Sequence, residues 1–280
     1  MPASPSRKRA PKSSPGPKVS AGSRPSPPPR RLIWPIVALL LIAVAVVVLL
    51  VLPASLAAQF LPAQVHADDF SGSIWHGSSG HITVASRPAG ALEWQLHLSS
   101  LLSMTAAADV RWVKDAIVID GEITVNAQGF EARNVRGGGP LGDLRDLGLP
   151  PGWSGNTTLD LKEIKGSFEK LESAAGTIEV SALSSTSIAH GADLGGYVLN
   201  LSPTAIADGS LAATVKDTGG PLEVQADVHY MPSSHSGLLS GTIKERESAS
   251  DALRDELNQL AQMRPRDNLG RIPVELEFSL

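Results

Sequence analysis

The 280-residue chain contains no cysteine. Disulfide bonds, thiolate nucleophiles and cysteine-ligated zinc, copper or iron–sulfur centres are therefore excluded. Aromatic residues make up only 4% of the chain, too few for the stacking platforms that hold single-stranded nucleic acid. Residues 1–31 hold no Asp or Glu but eight Lys/Arg, so the rest of the chain carries 16 Lys/Arg against 28 Asp/Glu, a net of −12. A body this acidic offers no basic face to a phosphate backbone, and nucleic acid is not an expected partner. No HExxH or GxSxG element occurs, and no two histidines have the spacing of a helical metal site.

Two N-terminal segments stand apart from the body. Residues 1–31 include nine prolines and seven serines and almost nothing apolar. Such a stretch buries too little surface to offset its ordering entropy, which predicts a disordered basic tail. Leu32–Leu52 is a run of 21 residues without a charge, 16 of them Leu, Ile or Val. As a helix it would be about 31 Å long, matching a hydrocarbon core of about 30 Å. It exceeds the ~7–15 apolar residues of a signal peptide, so an uncleaved transmembrane anchor is expected. The eight Lys/Arg precede this run, and the next positive residue is Arg87. The positive-inside rule then puts the N-terminus in the cytoplasm and the body across the membrane. The expected organisation is bitopic: a basic tail over 1–31, one transmembrane helix over 32–52, a linker over 53–70 and a β-rich domain over 71–280.

The body alternates with period two. Leu222, Val224, Ala226, Val228 and Tyr230 are separated by Glu223, Gln225, Asp227 and His229, the pattern of a half-buried strand. The same holds for Val274, Leu276, Phe278 and Leu280, for Ile178, Val180 and Ala182, and for Leu92, Trp94, Leu96 and Leu98. Further runs at 81–85, 109–113, 116–127, 157–162, 197–201, 211–216 and 238–244 bring the expectation to about a dozen strands. Turn residues punctuate them, including Gly137-Gly138-Gly139-Pro140, Pro150-Pro151-Gly152 and Asp217-Thr218-Gly219-Gly220-Pro221. No long helical segments connect them, so the expected fold is all-β: an elongated, curved antiparallel sheet or a sandwich-like pair of sheets. One C-terminal helix is expected over 249–264, where Leu253, Leu257 and Leu260 share a face, Ser248 caps and Pro265 stops. A second short one is expected over Leu141–Leu147. An internal echo links Gly72-Ser73-Ile74 and Gly80-His81-Ile82-Thr83-Val84 with Gly166-Ser167-Phe168 and Gly176-Thr177-Ile178-Glu179-Val180. Two related half-sheets would produce it, and so would β-rich sequence in general.

The search for chemistry yields little. Gly137-x-Gly139-x-x-Gly142 has dinucleotide-motif spacing, but Pro140 interrupts it and no long helix follows, so a glycine turn is expected. His66-Ala67-Asp68-Asp69 offers ligands without a cage and reads as solvated. Glu275 and Glu277 share the polar face of one strand, a solvated pair rather than an acid and base held at separate pKa values. No catalytic, cofactor-binding or metal-ligating residue is assigned, and no cofactor is expected.

Several short elements, in order, resemble the type II secretion system protein N family. Gly72-Ser73-Ile74-Trp75-His76-Gly77 is similar to its Gly-[Thr/Ser]-[Val/Ile]-Trp-x-Gly element. Leu92-x-Trp94-x-Leu96, Leu194-Gly195-x-Tyr197, Asp217-x-Gly219-Gly220-Pro221-Leu222 and Asp267-x-x-Gly270-Arg271 follow in sequence. The resemblance spans about 70–280, and the long Pro/Ser/Arg tail departs from the short tails of that family. It implies a non-enzymatic accessory protein of the cell inner membrane, with residues 71–280 in the periplasm. Its implied partners are other secretion components, foremost the inner-membrane platform, with the outer-membrane secretin as a further candidate. Residues near Trp75 and the terminal strand 273–280 are the candidate contact edges. The family's general build also resembles AsmA-like curved sheets, which leaves a periplasmic lipid-binding or lipid-transfer role as the alternative.

Overall fold

The computed structural model describes residues 52–60, 64–147, 149–203 and 209–279. The basic tail and all of the apolar run except Leu52 lie outside the described residues. Among the described residues, no helix is long and apolar enough to cross a membrane.

Thirteen strands follow one another. The first six are β1 (Val65–Gly72), β2 (His76–Val84), β3 (Arg87–Leu96), β4 (Ala106–Lys114), β5 (Ile117–Val125) and β6 (Phe130–Pro140). Next come β7 (Trp153–Gly166), β8 (Leu171–Ser185), β9 (Asp193–Leu201), β10 (Leu211–Asp217), β11 (Leu222–Met231) and β12 (Ser236–Glu245). Helix α1 (Asp251–Met263) then leads to β13 (Ile272–Ser279). All thirteen pair antiparallel in chain order as one open sheet, and the sandwich alternative is not formed. Short connections make this possible. The Ala85–Ser86 link between β2 and β3 has both residues at positive φ (49° and 66°), the sense that matches strand twist.

Register sorts the side chains onto two faces. Phe70, Ser79, Leu92, Trp112, Ile119, Gly137, Leu159, Ile178, Leu199, Val215, Ala226, Gly241 and Val274 stand opposite one another, one from each strand. The one hydroxyl in this apolar row, on buried Ser79, donates to Asp68 O at 2.7 Å. One residue along, on the other face, runs Ser71, Ser78, Glu93, Arg111, Asp120, Arg136, Asp160, Thr177, Asn200, Thr214, Asp227, Ser240 and Glu275. Charges alternate in sign from Glu93 to Asp160, and two neighbours pair: Arg111 with Asp120 (3.8 Å) and Arg136 with Asp160 (3.0 Å). Exposed pairs of this kind contribute about 0–1 kcal/mol each, so the row serves solubility and register more than stability.

Helix α1 supplies the main core. Leu253 and Leu257 on its inner face pack with Leu194 of β9, Leu222 of β11 and Ile272 of β13, which is fully buried. The Glu256 carboxylate ties the helix to the β8–β9 connection by accepting from Ala189 N (2.9 Å). The cap is Ser250, whose hydroxyl accepts from Leu253 N (3.3 Å), rather than the expected Ser248. Ser248 is engaged elsewhere, donating to Gly220 O (3.4 Å). The short helix expected at Leu141–Leu147 forms as a 3-10 helix.

Two strands were not expected. Strand β1 starts at Val65, inside the stretch read as linker, and residues 54–60 form a 3-10 helix. Strand β6 runs through Gly137–Pro140, read above as a turn. Those glycines lie where neighbouring backbones come close: a Cβ on Gly137 would sit 2.0 Å from Val118 O, and on Gly138 2.1 Å from Thr157 O. The two halves of the internal echo occupy matching places. Gly72 and Gly166 each end a strand, and Gly80 and Gly176 each lie within the strand that follows.

Replacing Leu253, 2% exposed, by alanine removes the centre of this core. Leu253→Ala should cost about 2–5 kcal/mol in urea unfolding followed by tryptophan fluorescence. A loss under about 1 kcal/mol would show that the sheet holds without the helix.

Candidate functional site

The residues singled out by their chemistry do not converge. His66, Asp68 and Asp69 lie along β1, and Asp69 pairs with His81 Nδ1 across to β2 (2.6 Å) with both side chains largely exposed. His97 Nε2 meets Asp109 Oδ2 at 2.9 Å. Among the described residues, no group of three or more His, Asp or Glu could hold a metal ion. Trp75 is half-buried in the β1–β2 turn, and its carbonyl accepts from Leu96 N (2.7 Å). Its backbone is thus engaged at the end of β3 rather than offered at a sheet edge.

The five short elements quoted above make four clamps, two tying separate parts of the sheet together and two closing a local stretch of chain. In the first, the Trp94 indole N–H donates to Ile74 O (2.9 Å), and Phe70 meets the Trp94 ring edge-on at 6.4 Å. Gly77 is needed there, since a Cβ would fall 2.7 Å from that indole. In the second, Tyr197 Oη donates to Leu194 O (2.5 Å). Burial, followed by the nearby charges of Asp217 and Asp193, pushes this phenol up to about 12, so it remains a donor throughout the physiological range. The third lies against the second, because Gly220 abuts the backbone of Gly195.

Asp217 is the centre of the third clamp. Its carboxylate accepts from Gly219 N (3.1 Å) and Val224 N (3.1 Å) and pairs with Arg246 Nη2 (2.6 Å). The same guanidinium donates through Nη1 to Gly220 O (3.3 Å) and Leu222 O (3.0 Å). Burial opposes ionisation of Asp217, but Arg246 and the two backbone donors outweigh it and hold the carboxyl below its ordinary 3.8. The fourth clamp repeats this at the entry to β13, where Asp267 accepts from Leu269 N (2.8 Å), Arg271 N (2.9 Å) and Arg271 Nε (2.9 Å).

The edges of the sheet are the most distinctive part of its described surface. The two edges differ. The β1 side is partly engaged: Ile74 N donates to Leu52 O (2.9 Å), and Pro53 bridges to Ser73. On the β13 side, among the described residues, no strand pairs beyond it. Arg246 N donates to Pro221 O (2.8 Å), which fixes the β12 residues that face β11. By alternation Gly237, Leu239, Gly241 and Ile243 face β13 and bond Phe278, Leu276, Val274 and Ile272. Pro273, Glu275, Glu277 and Ser279 therefore turn their backbone groups outward. Sequence reading named this strand as a candidate edge, whereas the long-range contacts of the clamps, Trp94 to Ile74 and Arg246 to Asp217, left no signal in periodicity.

The family model described as "Type II secretion system (T2SS), protein N" matches residues 63–275, and the chain belongs to that family. The match spans all four clamps and the whole sheet apart from the last residues of β13. No curated protein matches the chain. No solved structure matches it either.

Asp217→Asn keeps the shape of the third clamp and removes its charge. The variant should be about 1–2 kcal/mol less stable at pH 7, allowing for the partial exposure of Arg246. An acidic group with a depressed folded pKa stabilises fully above its unfolded value, here near 3.8, and less as pH falls through the folded value. The difference between wild type and variant should therefore close below pH 3.8 in unfolding curves taken across the acid range. A difference that does not change with pH would remove the charge from the account.

Proposed function

We propose that this chain is an accessory, single-pass inner-membrane component of the type II secretion apparatus, supporting export of folded proteins through protein–protein contacts in the periplasm. The observation that carries this reading is the family match over 63–275, which takes in nearly all of the sheet. The sequence supports the placement. A 21-residue uncharged run follows eight Lys/Arg, and the acidic body follows the run. The structure supports the mode of action: the quoted elements are spent on holding strands together, and an open sheet presents faces and an edge to partners. The inner-membrane platform is the first partner in this proposal and the secretin the second. The family match favours this role over lipid transfer.

An affinity-tagged full-length chain, solubilised from membranes of cells running the secretion apparatus, should carry other secretion components through purification. Recovery of none of them would overturn the role. Protease added to spheroplasts should digest residues 53–280 and spare the arginine-rich leader, and survival of the body would overturn the orientation.

A further inference from the structure

The geometry points to the outer side of β13 as a docking edge for one extended segment of a partner protein, with Lys or Arg at two positions flanking an apolar residue. This rests on the reading above, that the chain works through protein contacts, and names the surface and the chemistry it selects.

The edge is prepared for pairing at one end only. At its start, Pro273 has no N–H to offer, and the Arg264 guanidinium donates to Glu275 O (3.4 Å). Past that point the outward groups are Glu275 N–H and the N–H and C=O of Glu277 and Ser279. A partner strand can therefore add over about three residues and not along the whole of β13. The side chains along this stretch are sorted by face. Glu275 and Glu277 are exposed on the polar face, and among the described residues neither carboxylate has an ion-pair partner. On the opposite face Leu276 is 57% exposed, while the Phe278 ring lies back over Gly237, where a Cβ would fall 2.2 Å from it. Beside the open end a groove of about 640 Å³ has a mixed lining that includes His229, Met231, Ser236, Leu238, Glu277 and Phe278.

Charge decides the occupant. A second copy cannot pair well here. Two-fold antiparallel pairing centred on Leu276 sets Glu275 opposite Glu277 twice, and pairing centred on Glu277 sets that residue opposite its own copy. Like charges directly opposite one another destabilise a strand pair. A segment of the form Lys/Arg–apolar–Lys/Arg meets both carboxylates, because residues two apart share a face, and turns its central side chain toward Leu276.

The lack of native cysteine gives the test a single attachment point. Ser279→Cys in the full-length chain is labelled with a thiol-reactive benzophenone and irradiated in membranes containing the whole apparatus. The expected product is one adduct with a different protein, mapping to a Lys/Arg–apolar–Lys/Arg segment, and none from Thr177→Cys in mid-sheet. Adding Glu275→Lys and Glu277→Lys should lower the yield by roughly tenfold. Glu277→Pro removes an outward N–H and no bond to β12, and should lower it likewise. An unchanged yield in both variants, an adduct with a second copy, or an adduct on an acidic segment overturns the proposal. If tagged wild-type chain still recovers secretion components in that case, only the edge assignment falls; if it recovers none, the functional reading falls with it.

Discussion

Register between neighbouring strands, kept on the same face across all thirteen, is the constraint on which the rest of the structure depends. A slip of one residue at the β7–β8 junction would turn Leu159 to the polar side and Asp160 to the apolar side. Every strand beyond the slip would have to follow or lose its pairing. The fold protects register in two ways. Irregularities absorb mismatches locally, as between Asp120 and Glu122 or Leu161 and Glu163. The clamps, above all Asp217 with Arg246 and Trp94 with Ile74, fix turns beside the strands they serve.

That dependence explains what could be read from sequence alone. Strands such as β11 and β13 announced themselves because one face is wet and the other apolar, so each residue's character follows its direction. Strand β6 hid because Gly137–Gly139 carry no side chains to alternate, and because Asn134, at φ 52°, breaks the pattern before them. Strand β1 hid for a similar reason, with Asp69 at φ 55° in its middle. The helix was legible from Leu253, Leu257 and Leu260, but its cap lies two residues beyond Ser248, which serves a carbonyl of the β10–β11 turn. Periodicity also says nothing about order in a sheet. That β13 is an edge follows from topology, although the sequence offered it as a candidate.

The same architecture bears on function. The quoted elements mark how the sheet is held together, with Trp94, Asp217 and Asp267 each anchoring a turn by hydrogen bonds to backbone. The residues left to meet partners are those that pairing leaves over: the row of alternating charges and the two unequal edges. One edge is met near the β1–β2 turn by the chain approaching from Leu52, and the other is acidic and closed at its start by Pro273.

Strict chain order has a kinetic corollary. Each strand finds its mate in the segment made just before it, so loop-closure entropy at every step is that of a hairpin. A nascent polypeptide of this kind can lay down sheet progressively, one ribbon at a time, while later segments are still being synthesised or moved. Only the last part of the fold is non-local in character: α1 packs back over Leu194 and Leu222 together with Ile272 of β13. Completion of the sheet, and with it the acidic terminal edge, thereby draws on β9 and β11 through the helix as well as on the neighbouring β12.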